Sequence, residues 1–263
     1  MPPFRPSTEV AVGAVRDALA YARERAGVAA VSRKGVRDVV TDADVAIEDA
    51  VRSLLHGALG VAVAGEERGG EPAEGPYWLV DPICGTRNFA SGIPLYCVNL
   101  ALIEDGAVTA AVVGDPATGD VLVAETGGGA WDVSGERPRR LAPDESTGIV
   151  VVEDSHAAGA RREHAAAFAA AAVRADRWEL RSLSTTLSLA WVASGRVAGY
   201  VLFWTSATHA AAGSLLAAEA GATVTDLAGE PWTVRSDALV AAAGAAAHAD
   251  LIALLRSAAP GAG

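Results

Sequence analysis

Between Tyr77 and Phe89 an apolar run of strand length, Tyr77-Trp-Leu-Val80, stops at a carboxylate, Asp81, and turns through Pro82 and Gly85. A strand that ends so abruptly holds its last acidic side chain at one end of a sheet, and the rest of the chain must be arranged around it. Upstream, Val12, Val15, Leu19 and Ala22 recur at helical spacing behind Ser7-Thr8, a candidate N-cap pair, and Gly27 stands where the helix should end. A second helix is expected over residues 41–56, with Val45, Val51, Leu54 and Leu55 on its buried side. Apolar runs at 61–64, 77–80 and 96–103 read as strands. Turn signals at 104–106, 115–120 and 127–129 mark a meander.

Residues 136–147 are polar and carry proline, and the domain boundary is expected there. Residues 1–143 then form an α+β half with most of the chemically suggestive motifs, and residues 144–263 an α/β half. In the second half strands at 148–152, 179–183 and 200–203 alternate with helices at 156–174, 185–193 and 209–220. The fold class is α/β.

With 51% hydrophobic and 20% charged residues, the chain of 263 residues is neither disordered nor fibrous. Its alanine-rich apolar stretches are short and broken by charge, so no membrane span is expected. The first residues, Met1-Pro2-Pro3-Phe4-Arg5, lack the pattern of an export signal. A formal net charge of −11 argues against nucleic acid or an anionic lipid surface as partner. Two cysteines, Cys84 and Cys97, make no disulfide framework, which fits a reducing cytoplasm.

Chemistry concentrates in three places: Gly65-Glu66-Glu67 after an apolar strand; the Asp81 segment, which continues Pro-Ile-Cys84-Gly-Thr86-Arg-Asn-Phe89; and Thr208-His209 running through Gly213 to Glu219-Ala-Gly221 on a helix. Carboxylates at strand ends beside a helix start suit hard divalent cations and phosphate. These segments, with Val40-Thr41-Asp42-Ala43-Asp44, resemble the inositol monophosphatase family of metal-dependent sugar and polyol phosphatases. The resemblance spans residues 38–232, in the family's motif order and spacing. It implies a layered αβαβα sandwich with the active site between the two halves, a small-molecule substrate, and commonly a homodimer.

The resemblance also implies roles. Glu66, Asp81 and the Ile83 carbonyl match the ligands of one magnesium, and Thr86 and Asp44 match the pair that orients the attacking water. A second magnesium would need aspartates where this chain has Cys84 and His209. A thiol and an imidazole make a poor magnesium site. The family's G-S-A-A segment appears as Leu183-Ser184-Thr-Thr186, and an acidic polyol contact is replaced by the apolar stretch around Leu202. Gly85, Thr86, Ser184 and Leu202 are the expected substrate contacts.

Taken alone, Cys84 reads as a small buried apolar side chain, a soft-metal ligand or a reactive thiol. His209 reads as a helix-start or surface residue or as an acid/base, and Asp81 and Glu66 as strand-end anchors or ligands. His56, His156, His164 and His248 read as surface or packing residues, and Cys97 as core. Three functions follow. The first is a repurposed small-molecule enzyme of specialised biosynthesis that works by acid/base chemistry: His209, with Asp81, Glu66 or Asp44, would drive a dehydration, cyclisation or lyase step without two-magnesium chemistry. The second is an altered phosphomonoester hydrolase with one divalent ion, magnesium on Glu66, Asp81 and Ile83 or zinc on Asp81, Cys84 and His209. The third is a non-catalytic binding protein.

Overall fold

The computed structural model describes residues 4–33, 35, 39–70, 74–154 and 156–259. Met1-Pro2-Pro3, read for an export signal, lie outside it. Helix α1 (Pro6–Arg25) begins one residue before the expected cap pair: Pro6 takes the first helical positions, Arg5 precedes them without a side-chain cap, and Ser7 and Thr8 lie inside. Thr8 is buried and gives its hydroxyl proton to Glu125 instead of capping. The helix buries Ala11, Val12, Val15, Leu19 and Ala22 along one stripe and stops at Ala26, just ahead of Gly27. A small hairpin, β1 (Val31–Arg33) with β2 (Val39–Thr41), leads into α2 (Asp42–Leu59). Thr41 and Asp44 form a reciprocal capping box at its start, and Gly60 closes it in the left-handed conformation.

Then come β3 (Ala62–Gly65), β4 (Tyr77–Cys84), the one-turn helix α3 (Thr86–Ala90), β5 (Cys97–Glu104), β6 (Ala107–Gly114), β7 (Val121–Glu125), β8 (Gly129–Asp132) and β9 (Arg139–Arg140). β3 to β9 lie side by side in chain order in one sheet, antiparallel except for the parallel β3–β4 pair. The remaining elements are β10 (Ile149–Glu153), α4 (Ala160–Ala175), β11 (Glu179–Arg181), α5 (Leu187–Ala193), β12 (Gly199–Leu202), α6 (Ala207–Ala220), β13 (Thr223–Thr225), β14 (Leu239–Ala242) and α7 (Ala245–Ser257). They form a second sheet in the order β11-β10-β12-β14-β13. The helix expected from residue 156 starts only at Ala160, because Gly159 has a positive φ of 54° that a helix cannot continue through.

Strand alternation sorts the side chains into layers. On β5, Val98, Leu100 and Leu102 join α1 and α2 in one core, while Cys97, Ala101 and Ile103 face α5 and α6 in the next. On the far side of α5 and α6 a third core holds Val151, Tyr200 and Leu202, and behind the second sheet α4 and α7 enclose Val150, Phe168, Val201 and Phe203. The result is an αβαβα sandwich. The two inner helices approach so closely that a Cβ on Gly213 would meet the Leu189 side chain at 2.6 Å.

Candidate functional site

The site grows from an irregularity in β4. Asp81 pairs with Asn99 and Cys84 with Cys97, so β4 carries one residue more than β5 over this stretch, a bulge. Without it Asp81 and Cys84 would point to opposite faces. With it, Ile83 packs into the outer core with α1 and α2, while Cys84 turns to the inner face that Asp81 already occupies.

The first turn of α6 delivers His209 to the same place. Its Nδ1 lies 2.8 Å from Asp81 Oδ2 and 4.0 Å from Glu66 Oε2. Asp81, Cys84 and His209 present ligand atoms that all lie within 4.8 Å of one another. The other oxygen of Asp81, Oδ1, is buried and has no hydrogen-bond partner. Glu66 is held by the turn after β3, whose amides at Glu67 and Arg68 donate to Glu48 at 2.7 and 3.0 Å. Glu48 is itself fully buried and paired with Arg52, and it fills the space where a Cβ on Gly65 would sit.

Asp44, at the start of α2, accepts from the Thr41 amide at 2.8 Å and from the Thr41 hydroxyl at 2.5 Å. Thr86 Oγ1 lies 3.2 Å from Asp44 Oδ1 and 3.0 Å from the Ile83 carbonyl, so one hydroxyl proton is shared between two acceptors. Burial pushes the Asp44 carboxyl up to about 6 against the opposing pull of its Thr41 bonds. Burial lowers the pKa of His209, but Asp81 and Cys84, through hydrogen bonding and charge, together outweigh it, and the net direction is upward. The neighbouring Cys97 thiol, burial and the Asp81 charge all raise Cys84.

Opposite, residues 182–186 form the second wall. Glu153, 1% exposed at the end of β10, accepts from the Leu183 amide, from the Ser184 amide at 2.7 Å and from the Ser182 hydroxyl at 3.2 Å. This clamp holds Ser184 at a φ of 55°, rare for a residue other than glycine. Gly85, with a φ of 106°, lets this wall come close: a Cβ there would lie 2.9 Å from Leu95 O and 3.1 Å from Thr185 Cβ. Between the walls is a cleft of about 260 Å³, lined by Glu66, Cys84, Thr86, Ser184, Leu202 and His209 among others. Asp44 and Asp81 are fully buried beneath it.

Every residue singled out from the sequence as a catalytic, ligand or substrate contact therefore converges on one cleft or its floor. Glu219 does not. Ten residues further along α6, roughly 15 Å from His209 along the helix axis, it accepts from the Gly127 and Gly129 amides at 2.8 Å each and ties the β7–β8 turn to the helix. His156, read as surface or packing, is exposed but stands at the cleft, its ring 5.1 Å from that of Trp204, which in turn is 6.4 Å from that of His209. The sequence reading missed Glu48, Glu153 and Trp204. A glutamate ending an apolar strand was the one visible signal for Glu153. Cys97 is core, as expected.

The inositol monophosphatase family model matches residues 5–259. The chain belongs to the inositol monophosphatase family. The inositol-1-monophosphatase ImpA of Mycolicibacterium smegmatis is 36% identical over 216 residues, 80% of this chain and 78% of its own. The histidinol-phosphatase of Mycobacterium tuberculosis is 35% identical over 201 residues, 72% of this chain and 75% of its own. Among solved structures, the IMPase of Thermotoga maritima superposes with a TM-score of 0.83 at 24% identity, covering 95% of this chain and 96% of that one, a likeness of fold. The family normally uses divalent metals, magnesium above all. Glu66, Asp81 and the Ile83 carbonyl are an all-oxygen set, and the unpartnered Asp81 Oδ1 is a buried acceptor that a cation satisfies, so one hard ion fits this side of the site. The corner made by Cys84 and His209 does not fit a second magnesium. No helix among the described residues is long and apolar enough to cross a membrane.

Proposed function

We propose that this protein hydrolyses a small phosphomonoester with the help of one divalent cation held by Glu66, Asp81 and the Ile83 carbonyl. The observation that carries this reading is Asp81 Oδ1, a carboxylate oxygen taken out of water and given no donor, beside a second carboxylate in a phosphatase fold. An isolated buried acceptor is costly, and a cation repays that cost. When bound, the cation supplies charge for a phosphoryl oxygen and acidifies a water. Thr86 and Asp44 manage the proton: the Thr86 hydroxyl takes one from the attacking water as it hands its own to Asp44 Oδ1, 3.2 Å away. The leaving alcohol faces the side of the cleft made by Leu202, Trp204, His156 and Asp154, where the apolar stretch around Leu202 stands in place of the acidic polyol contact that the resemblance implies. The Leu202 and Trp204 surfaces favour an alcohol part with fewer hydroxyls than inositol.

The relatives' names favour hydrolysis over the dehydration, cyclisation or lyase step that the sequence suggested first, and nothing in the comparisons supports such a step. A homodimer and a role in specialised biosynthesis stay with this reading as inherited expectations. The test is phosphate release in magnesium from inositol 1-phosphate and from cyclic monoesters with one hydroxyl or none. Faster release from the latter is expected. A preference for inositol phosphate overturns the pocket assignment, and no release from any of them overturns the hydrolase.

A further inference from the structure

We infer that the corner formed by Asp81, Cys84 and His209 is a site for zinc or a comparable borderline divalent cation, which takes the place of the family's second magnesium. The inference deepens the hydrolase reading, on which it rests for the ion's task but not for its presence. The three donors come from two elements, Asp81 and Cys84 from the two sides of the β4 bulge and His209 from the first turn of α6, yet their ligand atoms lie within 4.8 Å of one another. Tetrahedral zinc, with bonds of about 2.0–2.3 Å to nitrogen, oxygen and sulfur, needs its ligand atoms roughly 3–4 Å apart, so binding replaces the 2.8 Å His209–Asp81 hydrogen bond with two bonds to the ion and draws in any pair near the 4.8 Å limit. Carboxylate, thiolate and imidazole are all zinc ligands, whereas thiolate and imidazole are poor partners for magnesium.

A second observation, the one that also carries the hydrolase reading, points to a cation here. Asp81 has no exposed side-chain surface, and its Oδ1 has no hydrogen-bond donor although Oδ2 is engaged by His209. The sulfur is also prepared. The Thr186 amide donates to Cys84 Sγ at 3.3 Å, and the Thr186 hydroxyl sits 2.8 Å away. Asn99 Nδ2 donates to that hydroxyl at 3.0 Å, which leaves its proton free to point at sulfur. Two groups placed to donate to one sulfur fix its position, and partners of this kind orient metal ligands. Asn99 also reaches the His209 carbonyl at 3.4 Å, so one side chain braces both the thiol and the imidazole residue. Cys84 and His209 line the cleft while Asp81 lies beneath, which leaves the fourth position open to water or substrate, the arrangement of a catalytic and not a structural zinc site.

The test uses the full chain, stripped with a chelator and titrated with cobalt(II), whose thiolate complexes absorb in the near ultraviolet. One equivalent is expected to produce the thiolate-to-cobalt charge-transfer band, and zinc to abolish it by displacement. Cys84→Ser should lose the band and Cys97→Ser keep it. His209→Ala, which retains the thiol, should bind about tenfold or more weakly. Cys84→Asp with His209→Asp should lose the band and be stabilised by magnesium more than the parent is. Cobalt binding without the band, a band that survives Cys84→Ser, or unchanged affinity in His209→Ala overturns the inference. Phosphate release is scored separately: a band without phosphate upholds the site and refutes the hydrolase, and magnesium-driven release without the band does the reverse.

Discussion

Asp44 illustrates how a single side chain can be costly to the fold and useful to the reaction. Its raised folded pKa, about 6 against 3.8, means that the native chain holds a proton over a range where the unfolded chain has released it. Stability of the metal-free protein therefore falls as pH climbs through that window and does not return above it. Asp44→Asn removes the charge but keeps an oxygen for Thr41. Urea unfolding should show it more stable than the parent at pH 7, by up to about 3 kcal/mol, with the gap closing near pH 4. A gap that does not depend on pH contradicts the burial argument. Phosphate release by the same variant should drop by about 10²- to 10⁴-fold, the usual worth of a general base. Residues such as Asp44, Glu66, Asp81, Thr86 and His209 were legible in the sequence because each falls on a position of the motifs that resemble the inositol monophosphatase family. Glu48 was not, since a glutamate on a charged helix looks like any solvated residue until the turn after β3 folds over it.

At the level of elements, the loop of residues 182–186 depends on one buried carboxylate. Glu153→Ala strands the Leu183 and Ser184 amides and should cost about 1–3 kcal/mol, with the substrate KM rising more than kcat falls, because the loop lines the cleft without reaching the reacting atoms. Burial raises Glu153 above 4.5 against the pull of the Leu183 and Ser184 amides. Its charged form is thus the less stable one in the fold, and relative to Glu153→Gln the parent should lose stability as pH rises from about 4.5 upward. Loss in the opposite direction, read by denaturant titration across pH, shows that the amides dominate. Gly85→Ala, at a φ of 106° and against Leu95 O, should destabilise by about 2 kcal/mol or more. The strands and inner helices could be read from apolar periodicity, while the β4 bulge could not. Nothing in Asp81-Pro-Ile-Cys84 announces that two residues three apart will share a face, and that local irregularity places the thiol in the site.

For the whole molecule, the two sheets enclose the inner helices, and the site lies where β4, α2 and the first sheet meet α6 and the loop before α5. Opposed carboxylates between two layers should gain from a cation that binds only the folded state. Magnesium at 100 times its Kd should add about 2.7 kcal/mol to the unfolding free energy, seen as a higher Tm, and Asp81→Asn should abolish that gain. The layered architecture was legible through the family resemblance of the motifs, and the alternation of strands and helices in the second half agrees with it. The chemistry was less so, because substituted ligands invite a reading of lost phosphatase function, whereas the geometry shows those substitutes still gathered around Asp81. The most direct measurement is inorganic phosphate release by the chelator-treated protein from small cyclic phosphomonoesters, with and without magnesium and zinc, using Asp81→Asn as control. The account predicts release that appears only when a divalent cation is added and is absent in the variant. Release that ignores both the cation and Asp81, or no release from any ester with either cation, would contradict it.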